Sequence, residues 1–139
     1  MRLKLANVNK SAKKVLEQLT EGLVKIEDHR KVSTSEAFMP VCVELIGFLY
    51  ENPVFSVAHY FEQNGDLMAD PEMTFGRSKG GEFAPFSFKQ DSLGIFKESV
   101  IHSPTEGDPD RFLIDPVMQR DQATFANVWM RNIKEQQFL

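Results

Sequence analysis

Apolar residues fall at Val8, Ala12, Val15, Leu16, Leu19, Leu23 and Ile26. Spacings of three and four predict an amphipathic helix over residues 8–26, with one stripe turned inward. Asn9 is placed to cap it, because a short side-chain oxygen there can accept from a free N–H of the first turn. Gly22 weakens the pattern near its end. Residues 27–38 are polar and β-branched without a period and predict a connector. Residues 39–49 form an apolar run broken by Glu44 and Gly47, and predict a well-buried strand.

Glu51-Asn52-Pro53 predicts a turn. Residues 54–62 and 67–76 then read as two strands around Asn64-Gly65, the dipeptide that favours a type I′ hairpin. Pro71 has no N–H to give to a ladder, so it predicts an edge position or a bulge. Residues 76–81 predict a glycine-rich loop. A second hairpin is predicted from residues 83–89 and 93–101, and a loop from His102 to Asp110. A short strand is predicted at residues 111–114.

Asp115-Pro116 predicts the start of a last helix, with Asp as cap and Pro at the first helical position. Met118, Phe125, Val128, Trp129 and Ile133 mark its expected buried face. Gln119, Arg120, Arg131, Asn132 and Lys134 mark its expected wet face. The fold class this predicts is α+β: an antiparallel sheet of about five strands in two hairpins, flanked by an N-terminal and a C-terminal helix.

Size and charge narrow the picture. A chain of 139 residues predicts a single domain over 1–139, with 1–38 as N-terminal helix and connector. Twelve phenylalanines stand against two tyrosines and one tryptophan, and most should pack inward for want of a polar group. A net charge of −4 argues against general nucleic-acid binding, which needs a basic surface. Arg2, Lys4, Lys10, Lys13 and Lys14 bias only the N-terminal segment. The lone Cys42 excludes an internal disulfide and, beside Val41 and Val43, reads as a small buried hydrophobe. No apolar run is long enough to span a membrane, and no secretion leader is read, so a cytoplasmic setting is expected.

Candidate chemistry concentrates in the Asn-Gly hairpin. With a two-residue turn, Gln63 should pair with Asp66, Phe61 with Met68, His59 with Asp70 and Val57 with Glu72. His59 and Asp70 would then stand opposite each other with Cβ atoms roughly 5 Å apart. Three readings stay open. His59 is a partly buried imidazole tied to Asp70, which holds the hairpin. Or His59, Asp70 and Glu72 form a metal or acid–base centre, as an enzyme would need. Or the polar edge, Tyr60, Glu62, Gln63, Asn64 and Asp66, is a surface for a partner. His29 and His102 read as solvated, and no phosphate-binding loop is present, since residues 76–81 lack its Gly-Lys-Ser/Thr ending.

The run from Ala58 to Met73, Ala-His-Tyr-Phe-Glu-Gln-Asn-Gly-Asp-Leu-Met-Ala-Asp-Pro-Glu-Met, resembles a bacterial family of unknown function with the pattern Ala-His-Tyr-x-Glu-Gln-Asn-Gly-Asp-Leu-Met-x-Asp-Pro-Glu-Met. Gln90 to Glu98 is similar to that family's following strand pair, and Phe125 to Phe138, with Trp129, Arg131-Asn132 and Lys134, to its closing helix. The resemblance covers about residues 39–138. It implies a protein carried by phages, plasmids and integrative elements, and it brings no activity, substrate or cofactor.

The function this suggests is a small non-enzymatic interaction protein. Its partner would be a host protein or nucleoprotein complex, for example a defence complex inhibited in the anti-CRISPR or antirestriction manner. Glu62, Asp66, Asp70 and Glu72 are the acidic groups that could meet such a partner's Arg and Lys. The alternative is the metal-dependent or acid–base enzyme centred on His59, Asp70 and Glu72. No cofactor is expected, and a homodimer stays open.

Overall fold

The computed structural model describes residues 5–139; Arg2 and Lys4 of the basic N-terminal bias lie outside them. Asn9 caps helix α1 (Lys10–Thr20) as expected, its side chain accepting from the Ala12 N–H at 2.9 Å. The helix ends well before residue 26. Gly22 takes a left-handed φ of +80°, and the Arg30 guanidinium donates to the carbonyls of Gln18, Leu19 and Glu21. Those carbonyls lack helical partners, and a cation suits that end of the helix dipole.

Arg30 can do this because it lies in a strand, β1 (His29–Val32), where the sequence predicts only a connector. Four residues are too few to show a period. β1 pairs antiparallel with β2 (Val41–Leu49), which pairs with β3 (Asn52–Gln63). The β2–β3 turn is Tyr50-Glu51, both at positive φ, so Asn52 and Pro53 belong to the strand rather than to the turn. β4 (Asp66–Arg77) and β5 (Phe83–Gln90) follow, and a 3-10 turn at Asp91–Leu93 leads to β6 (Ile95–Glu98). The sheet runs in the order β1-β2-β3-β4-β5-β6, all antiparallel.

The expected second hairpin is split. At Ser99 the chain leaves the main sheet, and β7 (Val100–His102) pairs instead with β8 (Phe112–Ile114) in a two-stranded ribbon. The α+β class holds, with one strand more in the main sheet and a ribbon beside it. Helix α2 (Pro116–Gln136) closes the fold, capped by Asp115, whose side chain accepts from the Met118 N–H at 3.1 Å.

Both helices cover one face of the sheet. Val15, Leu16 and Leu19 of α1 and Ala126, Met130 and Ile133 of α2 join one cluster with Val43, Leu45, Phe55, Val57, Met73, Phe75 and Phe83. Apolar area removed from water at about 25 cal/mol per Å² makes this cluster the main source of stability. Only three of the twelve phenylalanines, Phe55, Phe75 and Phe83, are fully buried, against the expectation for most of them. Phe38, Phe48, Phe96, Phe125 and Phe138 are exposed.

The buried face of α2 also differs from the expected one. Phe125 and Val128 are exposed, whereas Gln119 and Gln137, each 0% exposed, and Gln122 are buried. Each glutamine serves neighbouring segments. Gln119 accepts from the Ala6 N–H and donates to the Pro85 carbonyl; Gln122 accepts from the Ser99 hydroxyl and donates to the Lys97 carbonyl. Gln137 accepts from the Thr34 N–H and donates to the Met39 carbonyl. A carboxamide carries both a donor and an acceptor, so it can be buried where two loose backbone groups need partners. Arg120, Arg131, Asn132 and Lys134 are exposed as expected.

Candidate functional site

β3 and β4 outrun their neighbours. The β2 ladder on β3 stops at Cys42↔Ala58, and the β5 ladder on β4 stops at Glu72↔Lys89. Residues 60–63 and 66–69 therefore continue as a two-stranded finger, paired Tyr60↔Ala69 to Gln63↔Asp66. Asn64 and Gly65 turn it, with φ of +54° and +84°, as a type I′ hairpin requires. Glu62, Gln63, Asn64 and Asp66 are all exposed at the tip, and Leu67 beside them is 65% exposed. Two bonds pin the base: the Ala69 N–H donates to Asp91 Oδ2 at 2.7 Å, and Gln90 Nε2 donates to Asp70 Oδ1 at 2.8 Å.

The expected register holds at Gln63↔Asp66 and Phe61↔Met68 and then slips. Two residues of β4, Asp70 and Pro71, stand against His59 alone, so Ala58 meets Glu72 and Val57 meets Met73. Pro71 thus sits at a bulge in a central strand, one of the two places expected for it. The His59–Asp70 pairing and the Val57–Glu72 pairing are corrected by this slip.

The three residues of the alternative centre consequently go to different partners. His59 is buried, and its Nδ1 lies 3.0 Å from the Pro40 carbonyl. A carbonyl only accepts, so that nitrogen carries the proton. The imidazole meets the Trp129 ring edge-on, with centroids 5.5 Å apart. Asp70 is held by Gln90. Glu72 Oε2 accepts from the Ser56 hydroxyl at 2.7 Å and the Tyr60 hydroxyl at 3.3 Å, on the sheet face away from the helices. Among the described residues no group of three or more His, Cys, Asp or Glu is placed to hold a metal ion.

Tyr60 is the one predicted surface residue turned away from the tip. Half-buried at the finger's base, its phenol is pushed up to about 12, first by burial and then by the Glu72 charge and hydrogen bond. Cys42 is not the core residue expected. It is half-buried on this same outer face, where burial raises its thiol and Lys31 pulls the other way. His29 and His102 are exposed as expected.

Among the described residues, Glu72 lines two depressions on the outer face. One, of about 490 Å³, reaches from Glu72 past Tyr60 and Cys42 to Lys31 on β1. The other, of about 600 Å³, runs past Thr74 and Ser87 to Phe96 and Glu98 and is bounded by the ribbon at Val100 and His102. Its floor is bound by a 2.6 Å hydrogen bond between the hydroxyls of Thr74 and Ser87. The hairpin-centred reading of the sequence misses this face. Its signal is the period-two row of polar residues Ser56, Glu72, Thr74, Ser87, Lys89 and Glu98 on neighbouring strands.

A family model described as a domain of unknown function, DUF6908, matches residues 9–139. The chain belongs to that family. The DUF6908 match takes in α1 and β1 as well as the region from residue 39 onward that carries the resemblance. No curated protein and no solved structure matches the chain. Among the described residues no helix is long and apolar enough to cross a membrane.

Proposed function

We propose that this protein acts by binding, as a non-enzymatic interaction protein that sets the tip of its β3–β4 finger against a basic surface of a protein or nucleoprotein partner. The observation that supports it is the finger itself. It projects past both neighbouring strands, carries Glu62 and Asp66 at an exposed tip, and has Leu67 65% exposed next to Asp66 and opposite Glu62. Complementary charge steers association and selects the partner, and a single apolar side chain at the centre supplies contact area.

The setting we propose is a phage or other mobile element in a bacterial cytoplasm. The partner would be a host defence complex, inhibited in the anti-CRISPR or antirestriction manner. The family resemblance suggests that setting. Acidic groups on the finger would compete for the Arg and Lys that such a complex uses to hold nucleic-acid phosphates.

A tagged pull-down from host extract tests the reading, comparing wild type with the Glu62→Lys/Asp66→Lys double variant. A stoichiometric partner captured by wild type and lost by the variant, at unchanged melting temperature, is the expected result. A partner retained by the variant would remove the finger from the interface. No partner with either protein would overturn binding as the function.

A further inference from the structure

We propose that the outer groove beside the ribbon is a second docking site, for an extended protein segment bearing arginine or lysine, with Glu72 receiving its cationic head. This goes beyond the finger tip and uses the groove on the outer face past the finger's base.

Shape comes first. The groove holds about 600 Å³ and has Phe48, Phe86 and Phe96 in its lining. Phe48 is 50% and Phe96 61% exposed, so these rings face water beside a concave floor. Aromatic faces in a groove suit both an extended chain and a cation lying over them.

Charge selects among occupants. Glu72, Glu98 and Asp110 line the groove against the single ammonium of Lys89. That balance repels phosphates, so a nucleic acid is a poor occupant, and it attracts a guanidinium or ammonium.

Glu72 supplies the specific contact. Its Oε2 is fixed by Ser56 and Tyr60, while Oε1 takes no hydrogen bond among the described residues. A carboxylate oriented through one oxygen needs little reordering to accept a charged N–H through the other. Ser56 and Tyr60 are thus positioning residues for Glu72. The Thr74 and Ser87 hydroxyls on the floor offer bonds to the backbone of a bound segment.

The test is titration of the full ¹⁵N-labelled chain with a peptide of three Arg-Gly-Ser repeats, alongside its Glu-Gly-Ser counterpart and spermidine. We expect saturable shifts at the amides of Thr74, Ser87 and Phe96 with the arginine peptide alone. Glu72→Gln should weaken it roughly tenfold, the scale of one hydrogen bond to a charged group. Phe96→Ala and Glu98→Gln alter exposed side chains and should also weaken binding at unchanged melting temperature. Glu62→Lys/Asp66→Lys should leave it unaltered. The proposal is overturned by shifts at the finger tip alone, by equal binding of the acidic peptide, or by equal binding of spermidine. It also fails if Phe96→Ala and Glu98→Gln both bind like wild type, or if the groove closes by self-association on sizing.

Discussion

The Tyr60 hydroxyl donates to Glu72 Oε2 at 3.3 Å, although the two residues are not cross-strand partners. Tyr60 faces Ala69 and Glu72 faces Ala58, with the bulge at Asp70 and Pro71 between the pairs. One residue of slip moves every following side chain of β4 to the opposite face. Without it Glu72 would lie opposite Val57, on the side of the helices and the apolar core. With it, Glu72 sits on the outer face among hydroxyls.

That contact sets an alkaline limit. The Tyr60 phenol is raised from an ordinary value of 10 to about 12 by burial and by Glu72. The folded state therefore favours the protonated phenol more than the unfolded chain does. Its contribution is complete below pH 10 and disappears as the pH climbs towards 12. Ultraviolet titration of the phenols should show a late phase that vanishes in Tyr60→Phe. In Glu72→Gln that phase should move part of the way back towards 10, since burial, the larger cause, remains. A phase unaffected by Tyr60→Phe would show that the contact is not made in solution.

Gly76 is dictated by the ring of Phe86. A Cβ at position 76 would come within 2.2 Å of Phe86 Cζ. Gly76→Ala should cost about 1–3 kcal/mol by overpacking, read as a lower urea midpoint at constant slope. Pairing it with Phe86→Leu should recover part of the loss. Gly107→Ala, which meets nothing within 4 Å, serves as the control.

Gln119 joins α2 to two other segments through a buried amide. Gln119→Leu removes both bonds, leaving the Ala6 N–H without its partner and the Pro85 carbonyl with only the longer 3.3 Å bond from the Ser99 hydroxyl. One unpartnered group costs about 1–3 kcal/mol, and the loss should fall in that range in denaturant melts. Arg120→Ala next to it, exposed to solvent, should stay within about 0.5 kcal/mol. Equal effects of the two would contradict the buried glutamine row.

Asn9→Ala should lower stability by about 1 kcal/mol through loss of the α1 cap, and Asn9→Asp should retain most of it. Calorimetric melting temperatures compare the three proteins directly.

Much of this fold was legible as pattern. The helical stripe of α1, the Asn64-Gly65 turn, the Asp115-Pro116 helix start and the α+β class each follow from local rules of spacing, capping and turn chemistry. The tip residues Glu62, Gln63, Asn64 and Asp66 were legible for the same reason, since a two-residue turn fixes the pairing around it. The misses share a different cause. β1 is too short to carry a period. The glutamines of α2 are polar by type and buried by context. Phe125, Phe96 and Phe48 are apolar by type and exposed by context.

What the sequence determined by itself, then, is where backbone conformation is decided within a few residues: caps, turns, and the register close to a turn. Only the tertiary structure decided which face Glu72 occupies, which carbonyl His59 serves and how far the finger projects. Those outcomes depend on a bulge and on where neighbouring strands stop. Both are set by hydrogen bonds between segments far apart in the chain, and a local pattern does not record them.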